Sequence, residues 1–287
     1  MKLIKDYLMA DLTSLGVGGP ADLLCKPESI PEIQAALKYA REHNLPVTII
    51  GYGSNLLVTD KGIRGLVIQL AENYAKAAVS GTKIRAAAGC LFSSLSKLAC
   101  HHSLTGLEFA VGIPGSLGGA IYMNAGAYGG EIGPLIEEIT WVTEDKTGVW
   151  SKADFNYSYR HSRVQTDKVI VVEAVIQLKP GNKKEILEKM KELQAKRHEL
   201  QPLDQPSAGS TFKRPPGLYV GPMIEGANLK GYKIGGAQVS PKHAGFIVNT
   251  GGATAQDVLD LIAHIQKTIK DMYDVDLQPE LRIVGEK

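Results

Sequence analysis

The sequence predicts an α+β protein with a separate C-terminal domain. Residues 21–50 have the pattern of a strand, a helix and a second strand. Residues 168–178 form a long run rich in Val and Ile, and residues 183–200 have the charged, amphipathic pattern of a helix. Strand and helix periods recur after the composition changes at residues 180–182, which is typical of a second folding unit behind a linker.

The N-terminal elements are predicted from caps and periodicity. Ser29 and Glu32 have the spacing of a capping box, and apolar residues recur behind them at helical spacing. This helix lies between predicted strands at residues 21–26 and 46–50, which makes a βαβ unit. Extended segments follow at residues 57–60 and 65–70.

The central and C-terminal elements follow the same logic. A hairpin is expected at residues 77–88, a helix at 91–102 and a second hairpin at 139–152, before the strand at 168–178. Behind the linker we expect strands and helices in mixed order. These are a helix at 183–200, strands at 234–239 and 245–249, a helix capped by Thr254 and a last strand at 280–284.

Composition excludes several classes of function. The chain has 287 residues and a formal net charge of +2, so it carries no electrostatic footprint for nucleic acid. No apolar run reaches the roughly 20 residues of a membrane span, and the first ten residues do not resemble a signal peptide. The three cysteines lack metal-ligand spacing and cannot all pair, which favours a reducing, cytoplasmic setting and no bound metal.

Glycine is concentrated in two stretches that suggest close approach of a ligand to the backbone. Residues 112–126 read GIPGSLGGAIYMNAG and hold five glycines. Such density costs folding entropy, and it suits backbone N–H groups that meet a phosphate or a flat cofactor. A run of tight turns is the alternative interpretation.

The second stretch, residues 51–56, begins like a dinucleotide-binding fingerprint and then departs from it. It reads GYGSNL, and the next residues are predicted to be extended. A Rossmann turn has to open a helix, so we exclude that fold and expect a strand followed by a phosphate-cradling loop. A simple hairpin turn remains the alternative.

Three polar positions beside turns are candidates for chemistry. Arg160 lies between aromatic residues, where a guanidinium stacks or binds a carboxylate. Ser210 follows glycine in a small-residue loop with Lys213 and Arg214 behind it, and Glu280 opens the last strand. Each position also has an interpretation without function: Arg160 as a surface arginine, Ser210 as part of a solvated turn, and Glu280 as an exposed strand end.

Taken in order, these motifs closely resemble the UDP-N-acetylenolpyruvoylglucosamine reductase family, flavoproteins that make UDP-N-acetylmuramate for bacterial cell walls. The resemblance covers nearly the whole chain. Its parts are GYGSNLL at 51–57, the glycine-rich stretch at 112–126, YSYRHS at 157–162, SAGSTFKRP at 207–215, GGAQVS at 235–240, HAGFIVN at 243–249 and the PEL at 279–281.

The resemblance implies a fold and its domains. It implies an FAD-binding fold of the vanillyl-alcohol-oxidase type in two subdomains, residues 1–70 and 71–182. A C-terminal α+β substrate-binding domain would occupy residues 183–287. No insert carries the extra substrate-capping tyrosine of the longer family type, so the chain resembles the shorter type.

The resemblance also implies the site residues. Arg160, Ser210 and Glu280 would be catalytic, holding the substrate carboxylate, giving a proton and stabilising an enol-like intermediate. Lys213, Arg214 and Gln238 would bind substrate, although the family often has Asn where this chain has Arg214. The implied FAD-binding residues are Tyr52, Gly53, Ser54, Asn55, Leu56, Pro114, Gly115, Ser116, Gly118, Gly119, Asn124, Ala125 and Gly126.

The implied activity is the NADPH-dependent reduction of UDP-N-acetylglucosamine enolpyruvate through non-covalently bound FAD. We expect a cytoplasmic monomer that binds neither nucleic acid nor membrane. Two other hypotheses remain open at this stage. One is a different FAD-dependent oxidoreductase of the same fold, and the other is a non-catalytic flavin or UDP-sugar binding protein, which would not need all three catalytic residues.

Overall fold

A computed structural model describes residues 1–286 of the chain. The helices are α1 (Ile30–Glu42), α2 (Phe92–His101), α3 (Leu117–Tyr122), α4 (Val164–Asp167), α5 (Lys183–Leu200), α6 (Val220–Gly226) and α7 (Ala255–Tyr273). The strands are β1 (Leu3–Leu8), β2 (Pro20–Cys25), β3 (Val47–Ile50), β4 (Leu56–Val58), β5 (Ile63–Gln69), β6 (Ala77–Ser80), β7 (Lys83–Ala87), β8 (Leu104–Thr105), β9 (Gly126–Ala127), β10 (Gly130–Glu131), β11 (Ile136–Val142), β12 (Thr147–Ser151), β13 (Tyr157–Ser158), β14 (His161–Ser162), β15 (Ile170–Gln177), β16 (Lys179–Pro180), β17 (Ser207–Ser210), β18 (Lys233–Ile234), β19 (Ala237–Val239), β20 (Phe246–Asn249) and β21 (Arg282–Val284).

The chain divides into two compact units. The first unit comprises Met1–Ile4, Leu23–Tyr52 and Gly65–Arg197. The second comprises Lys5–Asp22, Gly53–Arg64 and the chain from His198 onward. Most of α5 thus belongs to the first unit, and the three-domain division at residues 70 and 182 stays a prediction.

A five-stranded antiparallel sheet forms the centre of the first unit, in the order β12-β11-β15-β7-β6. β15 is its middle strand and is buried along most of its length, as expected for a run of Val and Ile. Helix α2 presents Phe92, Leu95 and Ala99 to the same core. The predicted hairpin at residues 77–88 is confirmed, because β6 and β7 pair across the turn at residues 81–82.

The predicted βαβ unit differs from the structure in its strand order. Ser29 caps α1 as expected, with its side chain accepting the Glu32 N–H, but the Glu32 carboxylate accepts the Glu28 N–H, so only half of the predicted capping box forms. However, β3 pairs in parallel with β5, and the four-stranded sheet has the order β1-β2-β5-β3. The two strands around α1 are therefore not neighbours, since β5 lies between them.

The second unit is built on α7 and a four-stranded sheet of order β17-β20-β19-β18. Thr254 caps α7, as the sequence predicts, and the structure shows a complete capping box with Asp257. The apolar stripe of α7, from Val258 to Ile269, is buried in the core of this unit. β21 pairs in parallel with β4, which places Arg282 opposite Leu56. None of the helices among residues 1–286 has the length and apolar character to cross a membrane.

Candidate active site

Two glycine-containing segments meet in the first unit. A Cβ atom added to Gly51 would lie 3.0 Å from the Cβ of Ser116, closer than real Cβ atoms normally approach. The backbone at residues 51–52 therefore lies directly against the start of α3. Two of the sequence stretches predicted to cradle a cofactor are thus brought together by the fold.

The donors available in this stretch are fewer than its glycine content suggests. The N–H groups of Leu117 and Gly118 donate to the carbonyl oxygens of Cys90 and Ala88, each at 2.8 Å. The N–H of Gly119 donates to the Ser116 hydroxyl, which caps α3. Among residues 1–286, no partner is present for the N–H groups of Gly115 and Ser116. These two N–H groups are therefore the donors of this stretch best suited to bind an anion.

The same stretch fits the flat or anionic group that its resemblance implies. Gly115 has φ of 112°, a region that L side chains rarely adopt, so glycine is needed there. Pro114 is exposed and Gly118 and Gly119 lie on the first turn of α3. Burial raises the pKa of the Tyr52 phenol, with nearby Glu72 and Cys90 adding to the rise, so Tyr52 stays a neutral hydrogen-bond donor. Two backbone N–H groups, a stretch with few side chains and a neutral phenol together suit an FAD pyrophosphate.

Asn124 has a structural position within this unit. It is buried, with φ of 43°, and its side-chain oxygen accepts the Gly133 N–H at 2.9 Å. Its amide nitrogen donates to the carboxylate of Glu131 and to the carbonyl of Ser158, both at 3.0 Å. Since both amide hydrogens and the amide oxygen have protein partners, Asn124 shapes the loop that Ala125 and Gly126 continue, both of which are half-buried.

Arg160 lies at the tip of a small hairpin in the first unit. β13 and β14 pair Tyr157 with Ser162 and Ser158 with His161, which leaves Tyr159 and Arg160 as the turn. Arg160 is half-buried and has φ of 55°. Its guanidinium carbon lies 5.0 Å from the centre of the Tyr159 ring, a cation–π distance.

In the second unit, the backbone joins the two other predicted catalytic residues. The Glu280 N–H donates to the carbonyl oxygen of Thr211 at 2.8 Å, next to Ser210. Thr211 is buried, and its hydroxyl accepts the Ile247 N–H at 3.1 Å. Ser210 itself is exposed at the end of β17, and Glu280 is half-buried. One fixed residue, Thr211, therefore couples the backbone positions of Ser210 and Glu280.

The loop at residues 53–55 is hydrogen-bonded to the segment that carries Glu280. The side-chain nitrogen of Asn55 donates to the carbonyl oxygen of Glu280 at 3.2 Å, and the Arg282 N–H donates to the Asn55 carbonyl at 2.9 Å. Gly53 has φ of 64° and Ser54 is half-buried, while Leu56 begins β4. The extended chain after this loop confirms that no Rossmann helix follows.

The predicted substrate-binding residues occupy three settings in the second unit. Lys213 is half-buried and its N–H donates to the Gln278 carbonyl at 2.8 Å. Arg214 is exposed, with its guanidinium carbon 3.8 Å from the Tyr219 ring centre and its Nε donating to the Leu218 carbonyl. Gln238 donates to the Gly231 carbonyl at 2.9 Å. Arg214 is thus held by an aromatic platform that the sequence alone did not reveal.

Comparison with known proteins assigns the family. Residues 201–284 match the family model described as UDP-N-acetylenolpyruvoylglucosamine reductase, C-terminal domain, and residues 21–149 match an FAD binding domain. A UDP-N-acetylenolpyruvoylglucosamine reductase of Caldanaerobacter subterraneus subsp. tengcongensis is 51% identical over 287 residues, which cover 100% of this chain and 95% of the relative. The chain belongs to the UDP-N-acetylenolpyruvoylglucosamine reductase family.

Other reductases of this family agree in sequence and in structure. The one from Latilactobacillus sakei subsp. sakei is 51% identical over 280 residues, covering 97% of this chain and 92% of that protein. The crystal structure of the Thermus caldophilus reductase superposes with a TM-score of 0.86 at 35% identity, covering 98% of both chains. The predicted family, the α+β fold with an FAD-binding domain and the class of FAD-dependent oxidoreductase are therefore confirmed. The roles of individual site residues stay predictions.

Sequence reasoning missed two residues that contact the main chain of predicted site residues. Thr211 lies inside the motif SAGSTFKRP, in which the adjacent Ser210 was the predicted catalytic residue. Gln165, in α4, donates from its side-chain amide to the carbonyl oxygens of Tyr122 and Arg160. It lies outside every motif, and no local pattern distinguishes it from other polar residues. Both act through contacts with residues distant in the chain or with main-chain atoms, which residue type alone does not report.

Proposed function

We propose that this chain catalyses the NADPH-dependent reduction of UDP-N-acetylglucosamine enolpyruvate to UDP-N-acetylmuramate, a step in making peptidoglycan precursors. FAD, when bound, supplies the hydride chemistry that links NADPH to the enolpyruvyl double bond. We assign its pyrophosphate to the backbone of Gly115 and Ser116 with Tyr52 from the first unit. The loop at residues 53–56 stays a predicted cofactor-binding segment of the second unit.

The chain's own residues have to bind the substrate carboxylate, stabilise negative charge on the enol-like intermediate and deliver one proton. We assign the first task to Arg160, because a guanidinium binds a carboxylate through two parallel hydrogen bonds. Glu280 would help to stabilise or protonate the intermediate, and Ser210 would give the proton to its carbanionic carbon. A free serine is a weak acid, so this role needs an oriented hydroxyl and a strongly basic acceptor.

One observation supports this assignment most directly. The hydrogen bond from the Glu280 N–H to the Thr211 carbonyl holds the carboxylate-bearing residue one position away from Ser210. Residues 210 and 280 are far apart in the sequence, and this hydrogen bond keeps the backbone segments that carry the predicted proton donor and the predicted carboxylate side by side. Lys213, Arg214 and Gln238 would bind the UDP-sugar, with Arg214 suited to a phosphate.

The experiment is a two-stage absorbance measurement on the purified protein. We expect a yellow protein that NADPH bleaches without oxygen and that regains its colour when UDP-N-acetylglucosamine enolpyruvate is added. A yellow protein that NADPH does not bleach would indicate flavin binding without this activity. Bleaching that the enolpyruvyl substrate fails to reverse would indicate a different oxidoreductase.

The proton-donor assignment is tested by stopped-flow kinetics of Ser210→Ala. The recovery of colour with substrate should slow by about 10²–10⁴-fold, the usual contribution of a positioned acid, while bleaching by NADPH keeps its rate. Ser207→Ala, on the same strand, is the matched control and should keep both rates. Equal slowing of both stages in Ser210→Ala would contradict the assignment.

We also propose that the protein acts in the cytoplasm as a monomer. The three cysteines are free and buried, which suits a reducing compartment. Light scattering of the FAD-loaded protein is expected to give the mass of one chain, 30.9 kDa apart from the flavin. A mass of two chains would overturn the monomer.

A further inference from the structure

The hairpin that carries Arg160 has an unfavourable residue in its turn. In the two-residue turn between β13 and β14, Arg160 is the second turn residue and has φ of 55°. A positive φ at that position normally selects glycine or asparagine, because a Cβ atom is crowded there. A long side chain in a left-handed conformation persists only where its surroundings hold the backbone in place.

The side chain of Gln165 restrains the backbone of Arg160 in this way. Its side-chain nitrogen donates to the carbonyl oxygen of Arg160 at 3.1 Å and to the carbonyl oxygen of Tyr122 at 2.7 Å. Both amide hydrogens are therefore used. Tyr122 is the last residue of α3, the helix whose first turn carries Gly118 and Gly119. One amide group thus ties the main chain of Arg160 to the helix that begins in the predicted cofactor stretch.

The rest of the hairpin is attached independently of Gln165. The hydroxyl of Ser162 also donates to the Tyr122 carbonyl, at 2.9 Å. Arg163 donates to the Asp167 carboxylate at 2.7 Å and to the Asp154 carbonyl at 2.9 Å, and it lies 4.4 Å from the Trp150 ring centre. We therefore expect helix α4 to stay in place without the Gln165 side chain, and the Arg160 carbonyl to lose the contact that Gln165 makes with it.

We propose that Gln165 is a positioning residue that holds the left-handed backbone of Arg160 and thereby orients its guanidinium toward the substrate carboxylate. The inference rests on the proposed function, because it takes Arg160 as the residue that binds this carboxylate. Gln165 touches neither substrate nor cofactor in this role. Its effect is confined to ligands that carry the carboxylate.

The experiment compares two nucleotide sugars by calorimetry on the FAD-loaded protein. UDP-N-acetylmuramate carries the lactyl carboxylate, and UDP-N-acetylglucosamine lacks it. Gln165→Leu removes both donors at similar size, and Gln165→Glu keeps the shape but presents oxygens to two carbonyls. Both variants should bind UDP-N-acetylmuramate about 10-fold more weakly, as expected for one lost oriented interaction. Their affinity for UDP-N-acetylglucosamine, FAD content and rate of bleaching by NADPH should match the wild type.

Two controls separate orientation from general damage. Thr166→Ala, on the same helical turn, removes a local hydroxyl bond to the Arg163 carbonyl and should bind both ligands as the wild type does. In an Arg160→Ala background, Gln165→Leu should cause no further loss, because the two residues then act as one unit. This double variant keeps the inference testable even where one single variant is less stable.

The outcomes that overturn the inference are specific. Equal weakening for both nucleotide sugars would show a purely structural role, and so would additive losses in the double variant. Wild-type affinity in both Gln165 variants would show that Arg160 needs no such support. A wild-type protein that binds UDP-N-acetylmuramate no better than UDP-N-acetylglucosamine, and whose bleached form the enolpyruvyl substrate does not reoxidise, would overturn the proposed function itself.

Discussion

The side-chain amide of Asn55 donates a hydrogen bond to the main-chain carbonyl of Glu280, at 3.2 Å and across 225 positions of sequence. The two residues come from loops to which we assign different tasks, cofactor binding and substrate chemistry. Their strands continue the contact, since β4 and β21 pair in parallel directly after it. The backbone position of Glu280 therefore depends on a residue of the second unit's glycine loop.

Asn55→Asp is expected to loosen the Glu280 segment. The substitution keeps the size but replaces the donor with an oxygen that faces the Glu280 carbonyl. Loss of one part-buried hydrogen bond costs about 1 kcal/mol, so the melting temperature should fall by about 2–4 °C. Circular dichroism measures this, with Gln278→Ala, an exposed side chain of the same segment, as the control. An unchanged melting temperature would show that the contact adds nothing to stability.

Gly51→Ala is expected to weaken FAD binding through a steric effect. The new Cβ atom would lie 3.0 Å from the Ser116 Cβ and force the two glycine-containing segments apart. Overpacking of this kind typically costs about 1–3 kcal/mol. The ratio of flavin to protein absorbance after purification reports the loss. Gly221→Ala is the matched control, because no atom lies within 4 Å of its added Cβ. Equal flavin content in both variants would contradict the proposed closeness of these segments to FAD.

Asp257→Ala is expected to destabilise the second unit in a pH-dependent way. The Asp257 carboxylate accepts the N–H groups of Thr254 and Gly236, and these hydrogen bonds hold its pKa below the usual value of 3.8. A depressed folded-state pKa stabilises the fold above the unfolded pKa, and this contribution is lost as pH falls through the folded pKa. At pH 7 the variant should be about 1 kcal/mol less stable, the usual cost of a lost cap.

The pH profile gives the sharper measurement of this effect. The difference in unfolding free energy between wild type and Asp257→Ala should be constant from neutral pH down to about pH 5 and should shrink below about pH 4. Asp260→Ala is the control, since Asp260 is exposed on the next turn and accepts from the Gln256 side chain. A difference that stayed constant through the acid range would show that the charge of Asp257 is irrelevant to the cap.

The three cysteines are expected to be unreactive while the protein is folded. Cys25, Cys90 and Cys100 are all buried, and burial, aided by Glu32, raises the pKa of the Cys25 thiol to about 11. Thiolates are the reactive form, so a disulfide reagent at pH 8 should titrate no thiol in the native protein and three in denaturant. Ser80→Cys places a thiol on an exposed hairpin turn and should react at once, which confirms that the reagent is active. Rapid reaction of a native cysteine would indicate local opening of the first unit.

The elements predicted from periodicity and caps are largely the elements observed. Ser29 and Thr254 cap their helices, and the inward stripe of α7 is buried. These features depend on side chains only a few positions apart, so the sequence pattern reports them directly. The order of the short motifs likewise identified the family, because each motif is recognised by the residue types it contains.

Helix α3 and the hairpin of β13 and β14 were not predicted. Gly118 and Gly119 are poor helix formers, so the stretch at 112–126 was expected to be a loop. Its first turn forms because the N–H groups of Leu117 and Gly118 bond to the carbonyls of Cys90 and Ala88, which come from elsewhere in the first unit. Arg160 likewise takes a left-handed turn position that its residue type disfavours.

By itself, the sequence determined the α+β class, the family, the FAD chemistry and the candidate residues, since all of these follow from residue types and local spacing. Only the tertiary structure decided that β5 lies between β2 and β3, that Asn55 bonds to Glu280 and that Gln165 bonds to Arg160. These features are pairings between main-chain groups and distant or unremarkable side chains. Every residue carries the same backbone donor and acceptor, so no local pattern specifies which of them will meet.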